Sequence, residues 1–124
     1  LKIQTFEQLN SHYLKGNIFE NFVICELLKM RFNYGMLSNL YFWRDNHGHE
    51  VDCVIEQANR LIALEVKAGK TINQNYFSAL NYWKSISNIQ DDNYLIYAGD
   101  SSQKRTGAQI LSWRDINQLE DVII

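Results

Sequence analysis

The sequence predicts an α/β sandwich, a mixed β-sheet flanked by helices, and three observations lead there. Apolar residues recur at helical spacing from Asn17 toward Gly35 and again after Thr71. Runs with strand character occupy Leu40 to Arg44, Val51 to Glu56, Leu61 to Lys67, Tyr94 to Ala98 and Ala108 to Trp113. The resulting order is helix, three strands, helix, strand, strand, helix. It contains a strand–helix–strand unit from Leu61 to Ala98, which should form a right-handed parallel crossover. A length of 124 residues suits one domain, taken as 1–124.

Each element has its own reason. The opening stretch, Lys2 to Lys15, is mixed and carries only a faint helical pattern. In the first strong helix Ile18, Phe19, Phe22, Val23, Leu27 and Met30 form the stripe. Leu40 to Arg44 is aromatic-rich, and Asp45-Asn46-His47-Gly48 makes a turn. Val51, Cys53 and Ile55 then alternate with Glu50, Asp52 and Glu56, the mark of a half-buried strand. The second helix carries Ile72, Tyr76, Leu80, Trp83 and Ile86 on one stripe, with Thr71 and Gln74 at capping-box spacing. Tyr94 to Ala98 is continuously apolar, as in a strand covered on both faces. A last short helix is expected from Arg114 to Glu120.

Composition excludes some classes. Apolar residues make up 46 % and charged residues 21 %, a globular balance. No apolar run is long enough for a membrane span, so no membrane partner is expected. A net charge of -2 gives no field that draws the whole molecule to nucleic acid, so phosphate contact must come from a local patch or through bound cations. Cys25 and Cys53 show neither CxxC pairing nor zinc-finger spacing to histidine. Both read as small buried thiols of a reducing, cytoplasmic compartment. The chain begins at Leu1 and shows no secretory leader, so it reads as a piece of a longer protein.

Chemistry concentrates on two neighbouring strands. Glu65 and Lys67 are two apart and share a face, while Ile62, Leu64 and Val66 claim the other for the core. If a hairpin closes around Ala58-Asn59 with Gln57 opposite Arg60, Asp52 faces Glu65 directly. Carboxylates that close raise each other's pKa unless a cation separates them. Mg²⁺ or Mn²⁺, hard and oxygen-seeking, resolves the conflict. Lys67 would then orient a water or stabilise charge developing on a phosphate. Glu20, one turn into the first strong helix, could reach over the sheet to the same ion. It also stands three residues after Asn17, the spacing of a capping pair, and the two readings are equally supported.

These residues resemble the PD-(D/E)xK nuclease superfamily, and the chain is most similar to the uncharacterised C-terminal domain of prokaryotic AAA-type ATPases. The shared stretches are Gly16-Asn17-Ile18-Phe19-Glu20-Asn21, Tyr41-Phe42-Trp43-Arg44, Glu50-Val51-Asp52 and Leu64-Glu65-Val66-Lys67. The tail matches too, at Tyr97-Ala98-Gly99-Asp100 and Leu111-Ser112-Trp113-Arg114. Val51 replaces the proline of the superfamily's name. The resemblance implies a restriction-endonuclease-like αβββαβ core and Mg²⁺-dependent phosphodiester hydrolysis of nucleic acid, DNA in the first instance. It makes Asp52 and Glu65 metal ligands, Lys67 the catalytic lysine and Glu20 an accessory ligand. It also implies an ATPase module in the same parent chain, and the lack of a phosphate-binding loop in this sequence agrees with a fragment cut after that module.

Plainer readings compete at every position. An acid and a lysine two apart on a strand are usually a solvated face. Glu50 shares the face of Asp52 and is an alternative ligand, but reads as rim, and Glu56 as solvated turn. His47 and His49 read as exposed turn residues, and His12 gets no role. Trp83 and Tyr76 read as core. Ser101, Ser102, Lys104, Arg105 and Gly107 read as a mobile, locally basic loop, while Lys70 is a better phosphate contact. The rival to a nuclease is a non-catalytic interaction or regulatory module of an AAA-type ATPase. The acidic balance favours that rival; the intact acids and lysine favour the nuclease.

Overall fold

The computed structural model describes residues 4–5, 7–8, 14–87, 93–105 and 107–124. Most of the helix expected over Lys2 to Lys15, and His12 with it, lies outside these. Helix α1 spans Lys15–Asn33 and is followed by strands β1 (Leu40–Arg44), β2 (Glu50–Gln57) and β3 (Arg60–Lys67). A 3₁₀ turn over Gln74–Phe77 leads into helix α2 (Ser78–Ser87), then come β4 (Asn93–Tyr97), β5 (Gln103–Arg105) and β6 (Ala108–Ser112). A 3₁₀ segment over Trp113–Leu119 ends in the short helix α3 (Glu120–Ile123). None of the described helices is long and apolar enough to cross a membrane.

The strands form one mixed six-stranded sheet in the order β1-β2-β3-β4-β6-β5. β1, β2 and β3 are mutually antiparallel, β4 lies parallel to β3, and β6 parallel to β4. The parallel β3–β4 pair joined through α2 is the crossover that the sequence order predicts. β5 is an unpredicted antiparallel edge strand, in the stretch read from sequence as a loop. Its residues, Gln103, Lys104 and Arg105, are all exposed, so no apolar alternation marks it.

Both faces of the sheet are covered. On one side Val23 and Leu27 of α1 pack with Cys53, Ile55, Ile62, Leu64, Val66 and the C-terminal Ile116, Leu119 and Ile123. On the other, Leu80 and Trp83 of α2 pack with Val51, Val54, Ala63, Leu95 and Ile110. The half-buried reading of β2 therefore needs correction: Val54 is buried on the face that was expected to be polar. Val51 also leaves the face of Cys53 and Ile55 for the α2 side. The cause is a β-bulge. Tyr41 pairs with Val54 but Trp43 pairs with Val51, so Phe42 stands opposite two residues, Asp52 and Cys53. One extra residue shifts the register by one and flips every side chain beyond it.

Local expectations fare unevenly. Gly35 takes a positive φ of 71° just after α1, as a helix-ending glycine should. Asn17 lies inside the first turn of α1, whose N-cap is Leu14 with no side-chain bond, so the Asn17–Glu20 capping pair is not formed. Thr71 does not cap the second helix either; the Asn73 side chain accepts the Asn75 N–H at 3.0 Å. Ile86, expected on the buried stripe, is 47 % exposed because it lies past the part of α2 that meets the sheet. Cys25 is exposed and Cys53 buried. Cys25 sits midway between buried Val23 and Leu27, which turns it to the opposite side of the helix.

The predicted hairpin is present, with Gln57 paired to Arg60 and the register running on to Cys53 and Leu64. Its two loop residues are Ala58 and Asn59, and Ala58 takes a φ of 53°. Hairpin loops of this length favour glycine where φ is positive, because a Cβ there crowds the backbone. Ala58→Gly should therefore stabilise the protein by about 0.5–1 kcal/mol. A urea titration would read this as a higher midpoint at unchanged slope.

Candidate functional site

At the end of β2 and β3 away from the turn, the backbone ladder gives way to side chains. The last paired residues are Cys53 and Leu64. One step further, Glu65 Oε1 accepts the Asp52 N–H at 2.9 Å, and Asp52 Oδ2 accepts the Val66 N–H at 2.8 Å. Each acid thus receives a main-chain hydrogen bond from the other's strand. The bulge at Asp52 opens the space for this exchange. Asp52 and Glu65 lie side by side as the hairpin register predicts.

Burial makes the pair electrostatically costly. Glu65 is only 3 % exposed, and burial, then the charge of Asp52, push its pKa up to about 7. The Asp52 N–H and Lys67 pull the other way. Asp52 is also raised, chiefly by burial, although the Val66 N–H, Lys67 and a hydrogen bond with the Glu65 side chain oppose it. Two carboxyls at this range hold a proton between them when no cation does so.

Lys67 ends β3 with its Nζ 3.5 Å from Glu65 Oε2. Its ammonium lies 5.9 Å from the centroid of the Tyr76 ring. Tyr76 in turn rests on the backbone at Gly69, where a Cβ would collide with its hydroxyl. Tyr76 therefore belongs partly to the core, as expected, and partly to the support of Lys67. Glu20 approaches from α1. Burial raises its pKa first, followed by the charges of Asp52 and Glu50. Among the described residues no three His, Cys, Asp or Glu side chains form a ready metal set. The site is thus a carboxylate pair with a lysine, and Glu20 stands at its margin.

The pair opens into a cavity of about 300 Å³ that also touches His49, Glu50, Asn75 and Ser78. Sequence reasoning did not select Asn75 or Ser78, which come from the start of the second helical region and carry no motif. His49 was discounted as a turn residue, and it is indeed half-exposed, but it is held in place. Its ring stacks on Tyr82 at 3.7 Å, and its Nδ1 lies 3.2 Å from Asp45 Oδ2, which also accepts the Tyr82 hydroxyl at 2.7 Å. Burial opposes ionisation of Asp45, yet the bonds from Tyr82 and from the His49 and His47 N–H groups bring its pKa down to about 2. This network ties the β1–β2 turn to α2 and fixes one wall of the cavity. Lys70 is exposed beyond Lys67, and Glu56 is exposed near the hairpin turn.

Residues 15–116 match the family described as Domain of unknown function (DUF4143), and the chain belongs to that family. No curated protein and no solved structure matches it.

The raised pKa of Glu65 sets a sign for stability. The folded state binds this proton up to about pH 7, the unfolded chain only up to its ordinary 4.5. Its stabilising contribution is complete below pH 4.5 and is lost as pH rises through 7. Glu65→Gln keeps an acceptor for the Asp52 N–H and cannot ionise. The variant should gain on the order of 1–3 kcal/mol over wild type at pH 8, with the difference vanishing near pH 4. Chemical denaturation at both pH values in the presence of a chelator measures it.

Proposed function

We propose that this family member is a PD-(D/E)xK-type phosphodiesterase domain that hydrolyses nucleic acid, DNA in the first instance, with Mg²⁺ or Mn²⁺ as cofactor. The observation that carries the reading is the pair of half-buried Asp52 and buried Glu65, opening beside Lys67 into one cavity. The donor set fits a hard divalent ion. It offers carboxylate oxygens only, and each acid is anchored through one oxygen by a backbone N–H. Mg²⁺ commonly takes just one or two protein carboxylates and completes its shell with water and substrate phosphate. A pair without a third acid is therefore sufficient, and Glu20 would act at longer range. When bound, such an ion polarises the phosphoryl oxygen and lowers the pKa of water.

The chain's own residues supply the remaining parts. Asp52 and Glu65 would hold the ion, and their backbone anchors restrict the rotamers from which they could do so. Lys67, 36 % exposed at its side chain, presents a positive charge at the mouth, where a phosphate would enter. Tyr76 and Gly69 keep that charge from swinging away. In this reading the helix-strand order is a restriction-endonuclease-like core, and an ATPase module belongs to the same parent chain.

One observation favours a second reading, a non-catalytic interaction module. Phe32, Tyr34, Leu37, Tyr41 and Phe42 are all more than half exposed, and the last two lie on the edge strand β1. Apolar residues gathered near an open sheet edge suit a protein partner.

Two measurements decide between the readings. Calorimetric titration with Mn²⁺ should show binding by wild type, weakened at least about 10-fold in Asp52→Asn and less in Glu20→Gln. Linear, circular and branched DNA incubated with Mg²⁺ should be cleaved, and Lys67→Ala should slow this by about 100-fold or more. Mn²⁺ affinity that survives Asp52→Asn unchanged removes the hydrolytic reading. Wild type and Lys67→Ala equally inert on every substrate, RNA included, would point to the interaction module.

A further inference from the structure

A second cavity adjoins the carboxylate pocket. It has a volume of about 500 Å³ and is lined by Gln74, Asn75, Phe77, Asn81, Arg105 and Gly107. Asn75 lines both cavities, so the two are neighbours at that residue. Their chemistry is opposite. The first is walled by acids; among the described residues the second has no carboxylate in its lining, and its charged group is Arg105. The Arg105 guanidinium lies 5.9 Å from the centroid of the Phe77 ring. Pairing of Arg105 with Ala108 across the β5–β6 ladder fixes its backbone. Lys84 adds a second positive charge behind the rim, its Nζ filling the place where Gly107 would carry a Cβ.

Three primary amides, from Gln74, Asn75 and Asn81, line this one pocket. Each offers a donor and an acceptor on the same planar group, the pattern that pairs with the edge of a nucleobase. An arginine near an aromatic face offers a surface on which an unstacked base can lie. The size falls within the range of small-ligand pockets. A simple dicarboxylate or inorganic phosphate would use Arg105 and the amide N–H groups and leave the three amide carbonyls without a donor.

We propose that this cavity is a nucleotide subsite, taking one unpaired nucleotide of a single-stranded polynucleotide whose chain continues past Asn75 to the Asp52–Glu65–Lys67 pocket. The base meets the amides and the Phe77–Arg105 surface, and its phosphate lies toward Arg105 and Lys84. The direction of the strand rests on the hydrolytic reading, whereas capture of the nucleotide needs no metal.

The test is fluorescence anisotropy with a short fluorescein-labelled oligothymidylate, in EDTA, on the full chain. Wild type should bind. Arg105→Gln and Asn81→Ala should each weaken binding about 5- to 100-fold, and Arg105→Gln should flatten the salt dependence by about one ion. Both variants should keep the Mn²⁺ isotherm of wild type, which shows that they are folded and that the carboxylate pocket is intact. No binding by wild type, or equal binding by wild type and both variants, overturns the subsite. Thymidine monophosphate competing as well as unlabelled oligothymidylate would make the ligand a free nucleotide and overturn the strand. Equal competition by a duplex would overturn the recognition of an unpaired nucleotide. Arg105-dependent binding without any Mn²⁺ isotherm in wild type would support the subsite while sinking the hydrolytic reading.

Discussion

Asp52, half-buried, and Glu65, buried, lie beside each other at the point where an antiparallel ladder stops, and each accepts an N–H that the ladder has left without a partner. This exchange governs the surrounding structure. Backbone N–H groups must be satisfied when buried, and carboxylates buried without donors are expensive. Joining the two needs lowers both costs but leaves two acids in mutual repulsion, visible in the raised pKa of each. The repulsion is the chemically useful residue of the arrangement. It is relieved by a proton below about pH 7, so the fold stores a preference for positive charge at one spot.

The rest of the sheet keeps that spot rigid. The bulge at Asp52 sets the acid apart from the regular pleat, and Val51 and Cys53 then lock the strand by entering cores on opposite faces. On β3 the neighbours of Glu65, Leu64 and Val66, are buried under α1. Full burial of such side chains stabilises by about 1.5–3 kcal/mol each. The acids cannot move apart without uncovering apolar surface. The global charge of -2 tells nothing of this, because the pattern that matters is a local alternation of acid, lysine, amide and arginine along adjoining cavities.

Much of this was legible in the sequence, and the reasons are specific. The hairpin around Ala58-Asn59 fixed which residues face each other, so the Asp52–Glu65 juxtaposition follows from counting alone. The crossover from Leu61 to Ala98 follows from an apolar strand, a striped helix and a second apolar strand. What escaped has equally concrete causes. A bulge leaves no mark in composition, so Val51 was assigned to the wrong face. Three exposed polar residues give β5 no periodicity, and Arg105 passed for loop. Asn73 outcompeted Thr71 because its side chain reaches the Asn75 N–H at the start of a 3₁₀ turn, a geometry that the helix-based capping pattern does not anticipate. Asn75 and Ser78 join the cavity only through the packing of α2 on the sheet.

Strand pairing is ordinarily indifferent to pH and to solutes, since amide and carbonyl groups do not ionise. Here the two rungs next to Cys53–Leu64 are made by carboxylates, so the electron density felt by the Asp52 and Val66 amide protons follows whatever those carboxylates hold. The sheet thus carries, in its own main chain, a pair of built-in spectroscopic indicators: their nuclear resonance frequencies will differ between the protonated and the ionised pair without any probe being attached.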